Sequence, residues 1–183
     1  MTKVQIKELI KQAIEPHKIC RVFLKYDVNY RYYFPLIVGE RLFLGAEEDD
    51  FILDGYSIRR FKDVVKCEIK DDKCLEIDFV EGLLEHLVTP DIDITNWETS
   101  LSSLQKTGKN IIIENENLGG DKNEFAIGKV VKIMRNKALF RGFDADGIWN
   151  DELLEIPFSQ IISITFSSRY VEVFSKYLIE RNG

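Results

Sequence analysis

The stretch Leu42 to Ile69, LFLGAEEDDFILDGYSIRRFKDVVKCEI, occurs a second time in altered form as ALFRGFDADGIWNDELLEIPFSQIISITF, Ala138 to Phe166. Phe61 aligns with Phe158, and Val65, Cys67 and Ile69 align with Ile162, Ile164 and Phe166, at an offset of 97 residues that barely drifts along the pair. A repeat of this length is not a chance likeness between two strands. It predicts two similar domains, residues 1–88 and 89–183, with the boundary near Thr89-Pro90-Asp91.

Composition sets the broad class. With 45% hydrophobic and 31% charged residues in 183, the chain reads as an ordinary globular protein and not as a disordered or membrane one. No apolar run reaches bilayer length, and charges interrupt the N-terminal MTKVQIKELIKQAIE where a signal peptide needs an apolar core. The expectation is a cytoplasmic protein with no membrane contact. The net charge of −6 is spread over both halves, which lowers the prospect of non-specific nucleic-acid binding while leaving room for a local basic patch. Three cysteines, an odd number without close pairing, read as reduced thiols.

Along the first half, Thr2 and Gln5 form a capping box ahead of an amphipathic helix that Pro16 ends. Strands follow at Ile19–Tyr26, Tyr32–Val38, Leu42–Leu44 with its acidic tip, Phe51–Arg60 kinked at Asp54-Gly55, and Val64–Ile69. Pro35 places its strand at an edge or on a bulge. Alternation of Leu75, Ile77 and Phe79 with acidic residues predicts one more strand. The second half repeats the plan: Thr95 with Glu98 as a capping box, Gly108 ending the helix, and strands at 110–116, 125–134, 137–143, 153–158 and 161–166. The loop Asn117 to Asn123 is the part that differs in character, and Tyr170–Leu178 closes the unit.

A short helix, a long strand, a bent strand, two further strands and a tight turn into a last strand resemble the Sm-like small β-barrel. Glu155–Ile164, EIPFSQIISI, looks like the end of such a unit, and Leu42-Phe43-Leu44 followed by Ile58–Val64 is similar to the WYL domain, itself Sm-like. The resemblance implies a mostly β (α+β) fold of two tandem Sm-like or SH3-like small barrels, each preceded by a short helix. It also implies RNA as a possible ligand, although Leu42 and Phe43 replace the first two letters of WYL.

Candidate chemistry is sparse. His17 and His86 have no converging partners for acid-base or metal work. Cys20 and Cys67 fit a core, while Cys74 beside Lys73 is the candidate exposed thiol. Glu47–Asp50 and Asp144-Ala145-Asp146-Gly147 gather carboxylates where hairpins must turn, without the full calcium-loop spacing. Tyr30, Arg31 and Tyr32 with Arg59, Arg60 and Lys62 mix aromatic rings and cations, the groups that stack bases and meet phosphates; these six are the candidate ligand-binding residues. The expectation is a non-enzymatic binding or scaffold protein, without cofactor or metal, acting on a protein partner or on itself. The alternative is an RNA- or nucleotide-binding regulatory protein.

Overall fold

A computed structural model describes residues 1–116 and 124–180. It divides into two compact units, Met1–Pro90 and Asp91–Gly183. The loop 117–123 singled out by the sequence lies outside the described residues.

Unit 1 begins with α1 (Lys3–Gln12), capped by Thr2, whose hydroxyl accepts from the Gln5 amide while the Gln5 side chain accepts from the Thr2 amide. Five antiparallel strands follow: β1 (Cys20–Leu24), β2 (Tyr30–Val38), β3 (Leu42–Asp49), β4 (Ile52–Arg60) and β5 (Val64–Ile69), with a 3-10 turn, Phe61–Asp63, between the last two. Their spatial order is β5-β1-β2-β3-β4. Unit 2 has α3 (Trp97–Thr107), β6 (Ile111–Asn115), β7 (Glu124–Ile133), β8 (Lys137–Gly142), β9 (Leu154–Pro157) and β10 (Ile161–Phe166), with a 3-10 turn at Phe158–Gln160. Its order is β10-β6-β7-β8-β9, the same arrangement again. Each unit ends in a short helix, α2 (Lys73–Val80) in the first and α4 (Arg169–Phe174) in the second. The class is α+β and mostly β; among the described residues no ladder joins β4 to β5 or β9 to β10. No described helix is long and apolar enough to cross a membrane.

The likeness extends to irregularities. In unit 1 Phe23 pairs with Lys66 and Leu24 with Val64, which leaves Val65 as the extra residue of a bulge. In unit 2 Asn115 pairs with Ile161 and Glu114 with Ser163, so Ile162, 97 residues later, takes the same role. The alternation of Val65, Cys67 and Ile69 predicts that the three share one apolar face, and the bulge corrects this: Val65 is 61% exposed, whereas Cys67 is buried. A second bulge falls at Leu36 in β2 and at Val131 in β7. Pro35 is therefore tolerated by a bulge in an interior strand, not by an edge.

Ile6 and Ile10 of α1 and its C-cap Ala13 pack on Val22, Phe43, Phe61, Val64 and Cys67 to make one core of unit 1, with the Phe43 and Phe61 ring centroids 5.3 Å apart. Phe61 is buried and its counterpart Phe158 half-buried, so the two corners match in backbone more than in packing. A second cluster joins Ile19, Phe34 and Ala46 to Leu75 of α2. The predicted strand at Leu75–Phe79 is thus a helix: Leu75 and Asp78, three apart, are buried while Phe79 and Val80 face solvent. In unit 2, Phe143, Trp149 and Val171 of α4 pack with Ile127. Asn96, not Thr95, caps α3, in reciprocal hydrogen bonds with Thr99.

Candidate functional site: an aromatic and cationic face with an adjoining cavity

Strand register decides what unit 1 presents to solvent. Arg21 lies opposite Tyr32 and Glu68, and Phe23 lies opposite Tyr30 and Lys66, across the three strands β2, β1 and β5. Alternation sends Cys20, Val22 and Leu24 into the core and leaves these six side chains on the other face. The rings of Phe23 and Tyr30 meet edge to face at 5.5 Å, and those of Tyr30 and Tyr32 at 5.1 Å. The Arg21 guanidinium sits 4.5 Å from the Tyr30 ring and donates to the Tyr32 hydroxyl at 3.1 Å. Lys66 lies over Phe23 at 5.2 Å, and Lys70, just past β5, over Tyr32 at 5.5 Å. Hydrogen bonding to Tyr32 raises the Arg21 guanidinium above its ordinary range, and the Lys66 ammonium holds the Glu68 carboxyl below its own.

Of the six candidate residues, Tyr30 and Tyr32 belong to this face. Arg31, between them in sequence, alternates away and is tied to Asp27 at 2.9 Å and to Glu47 at 3.5 Å. Arg59 and Arg60 are 2% and 5% exposed. Arg59 donates to the Tyr33 hydroxyl at 3.0 Å and approaches Glu47 at 3.9 Å, and Arg60 is paired with buried Asp63. Burial pushes the Tyr33 phenol well above its ordinary range. Lys62 is exposed on the 3-10 turn. The cations that do stand over the rings of this face are Arg21 and Lys70 at the tyrosines and Lys66 at Phe23, which the sequence reading missed. The signal was there in the alternation of Arg21 and Phe23 with buried neighbours, once β1 is paired to both β2 and β5.

Next to this face, the β1–β2 turn and the β3–β4 hairpin enclose a hollow of about 580 Å³ with Tyr26, Tyr30 and Tyr32 in its wall and Glu47, Glu48 and Asp49 along the hairpin side. Glu48 accepts from the Phe51 amide at 2.8 Å. Its carboxyl is raised, first by burial and then by neighbouring Asp49 and Asp50, against the lowering effect of that hydrogen bond. The hairpin turns through two left-handed residues, Asp50 and Phe51, with φ of 48° and 67°.

Ladder-by-ladder equivalents of the six face positions in unit 2 are Ile112, Glu114, Phe125, Ile127, Ser163 and Thr165, without a lysine or arginine among them. The Asp144–Gly147 loop is closed on itself: the Asp144 carboxylate accepts from the amides of Asp146 and Ile148 at 3.0 and 2.9 Å. Among the described residues no three His, Cys, Asp or Glu side chains gather as a metal site. His17 and His86 are exposed, Cys20 and Cys67 are buried, and Cys74 is an exposed free thiol on α2.

Comparison with protein-family models, with curated proteins and with solved structures gives no match for the chain.

Proposed function

We propose that the protein is a non-enzymatic, cytoplasmic binding or scaffold protein that engages a protein partner through the solvent-facing surface of β1, β2 and β5. The observation that carries this reading is the packing of Phe23, Tyr30 and Tyr32 with Arg21 on an exposed sheet face. Tyrosine and arginine are enriched among the residues that carry most of the binding energy of protein interfaces, tyrosine because it presents a large contact area with a polar end and only two side-chain torsions to fix. Here the rings already hold one another and the guanidinium in place, so little further ordering is needed on binding.

The finer architecture proposed is a pair of tandem Sm-like small barrels. Support comes from the strand order shared by the two units, from bulges at equivalent places, and from a 3-10 turn that leads into the last strand of each. One fold hosts many functions, so the surface and not the fold supports the binding role.

The test is affinity capture from cell extract with the wild-type chain and with Arg21→Ala/Tyr30→Ala, whose melting curve serves as the folding control. A partner held by the first and lost by the second is the expected result. A wild-type chain that stays monomeric over a wide concentration range and captures nothing would sink the proposal.

A second reading, an RNA- or nucleotide-binding regulator, draws on Arg21, Lys66 and Lys70 lying over the same rings. It shifts the phosphate-meeting role from Arg59 and Arg60 to these three residues, since the former pair is buried and ion-paired.

A further inference from the structure

The face proposed for binding does not end at Tyr32. Alternation along β2 carries Tyr30, Tyr32 and Phe34 to one side of the sheet and Tyr33 to the core side. Ile19, two residues before Arg21, and Ala46, opposite Phe34 on β3, share that side. α2 covers this end of the face through Leu75, and Tyr32 packs against the covered cluster while its ring also meets Tyr30. In unit 2 the terminal helix is seated elsewhere: Val171 of α4 packs with Ile127 and Ile112, which take the places of Tyr32 and Arg21. One sheet architecture therefore accepts its last helix at more than one place.

Several features of α2 weaken its hold on the seat. Its N-terminus has no side-chain cap, the Asp72 carboxylate pairing with Lys70 instead, whereas Ser168 caps α4 by accepting from the Val171 amide. Phe79 and Val80 remain exposed. Asp78 is buried on the same side of the helix as Leu75, and neither of its oxygens meets a donor. From the elements packed with α2, β2 brings the phenol of Tyr32, β4 that of Tyr56, and β3 brings Glu48, whose charge opposes ionisation of Asp78. The neighbouring cations are engaged elsewhere, Lys18 with Asp71, Lys70 with Asp72 and Lys73 with Glu76, and Glu85 and His86 of the 3-10 turn Leu83–His86 are exposed. An ionised Asp78 is well solvated only where water reaches it, which requires the helix to lift. Burial, with Glu48 nearby, pushes its pKa up to about 6, so the docked helix holds a neutral carboxyl below that pH and an opposed charge above it.

We infer that α2 is a pH-sensitive cover on the binding face: ionisation of Asp78 releases the helix, and the surface of Ile19, Phe34 and Ala46 beneath it joins Tyr30 and Tyr32 in contact with the protein partner. The partner contact rests on the binding-protein reading, and the release rests on unit 1 alone.

Amide hydrogen exchange of the full chain, corrected for the pH dependence of intrinsic exchange, measures the release without a partner. The amides of residues 77–81 are expected to open about fivefold more often at pH 7.5 than at pH 5, while those of β2 and β3 keep their protection. Asp78→Asn should hold α2 closed at both pH values, and Glu48→Gln, which keeps an acceptor for the Phe51 amide, should reduce the opening at pH 7.5. Partner capture at pH 7.5 should fall about fivefold for Asp78→Asn, in step with the lost opening. Opening that is equal at both pH values, that both substitutions leave unchanged, or that occurs only together with the strands of unit 1 would overturn the cover. Release as expected, with capture indifferent to Asp78→Asn, would overturn the surface beneath α2 as a partner contact. Capture that fails with every form would remove the binding role and that contact with it, and would leave the pH-driven release standing.

Discussion

Arg59 joins stability to function in a way that its sequence context hides. At 2% exposure it donates to the buried Tyr33 hydroxyl and faces Glu47, which in turn holds Arg31. Truncating it strands a phenol and weakens the compensation of a mostly buried carboxylate, so Arg59→Ala should cost roughly 2–4 kcal/mol in urea unfolding. A value within error of zero would show that the pair is not formed in solution. The same arithmetic changes the meaning of an arginine-to-alanine binding test at positions 59 and 60: lost binding would report lost folding, and Arg21 is the informative position instead. Asp78 carries the complementary lesson. It is 1% exposed with neither carboxylate oxygen hydrogen-bonded, and burial, with Glu48 nearby, pushes its pKa up to about 6. A carboxyl that binds its proton more tightly folded than unfolded contributes fully to stability below about pH 4, the unfolded value, and that contribution is lost as pH rises through about 6. Asp78→Asn should therefore stabilise the chain at pH 7.5, by about 1 kcal/mol once screening is allowed for, and give no gain near pH 4. An equal gain at both pH values would show that the carboxyl charge is not the cause.

The strands were legible because their alternation and turn signals agree, and the terminal helices of the units were not. In KCLEIDFV the apolar residues alternate with acidic ones, which is the strand period, yet the segment is α2. Tertiary contact decides the matter: Leu75 packs against Ile19, Phe34 and Ala46, and that packing favours a turn that buries positions 75 and 78 together. The bulges escaped for a related reason, since removing Val65 from the alternation requires knowing that Phe23 and Leu24 skip it. The cap of α3 was misplaced by one residue because Thr95 and Glu98 satisfy the capping pattern as well on paper as Asn96 and Thr99 do in space. The structure makes the choice testable. Asn96→Ala removes the acceptor for the Thr99 amide and should lower stability by about 1 kcal/mol. Deuterium uptake should rise first in the opening turn of α3, and unchanged uptake there would return the cap to Thr95.

Two units share a strand order, a pair of bulges and a terminal helix, and differ in the residues at the six face positions, where the first has Arg21 and Lys66 and the second has no lysine or arginine. The repeat and its strands were visible in the sequence and the composition of the face was not, because the face is assembled from three strands whose register no single segment encodes. The charge of the assembled face sets a limit on its ligands. Arg21, Lys66 and Lys70 are answered by Glu68, which pairs with the first two, and by Asp72, which pairs with the third. In a chain of net charge −6, with a carboxylate-rich hollow adjoining, such a face is suited to rings and short polar contacts more than to a long run of phosphates. If a single-stranded oligonucleotide binds here, three cations can release counterions from at most three phosphates, so the plot of log affinity against log salt should have a slope no steeper than about −2. Arg21→Ala should flatten that slope by about 0.7, since one phosphate contact goes with the guanidinium. A slope near −4, or one that Arg21→Ala leaves unchanged, would place the nucleic-acid contact elsewhere on the molecule, and flat curves at low salt would leave the face to a protein partner.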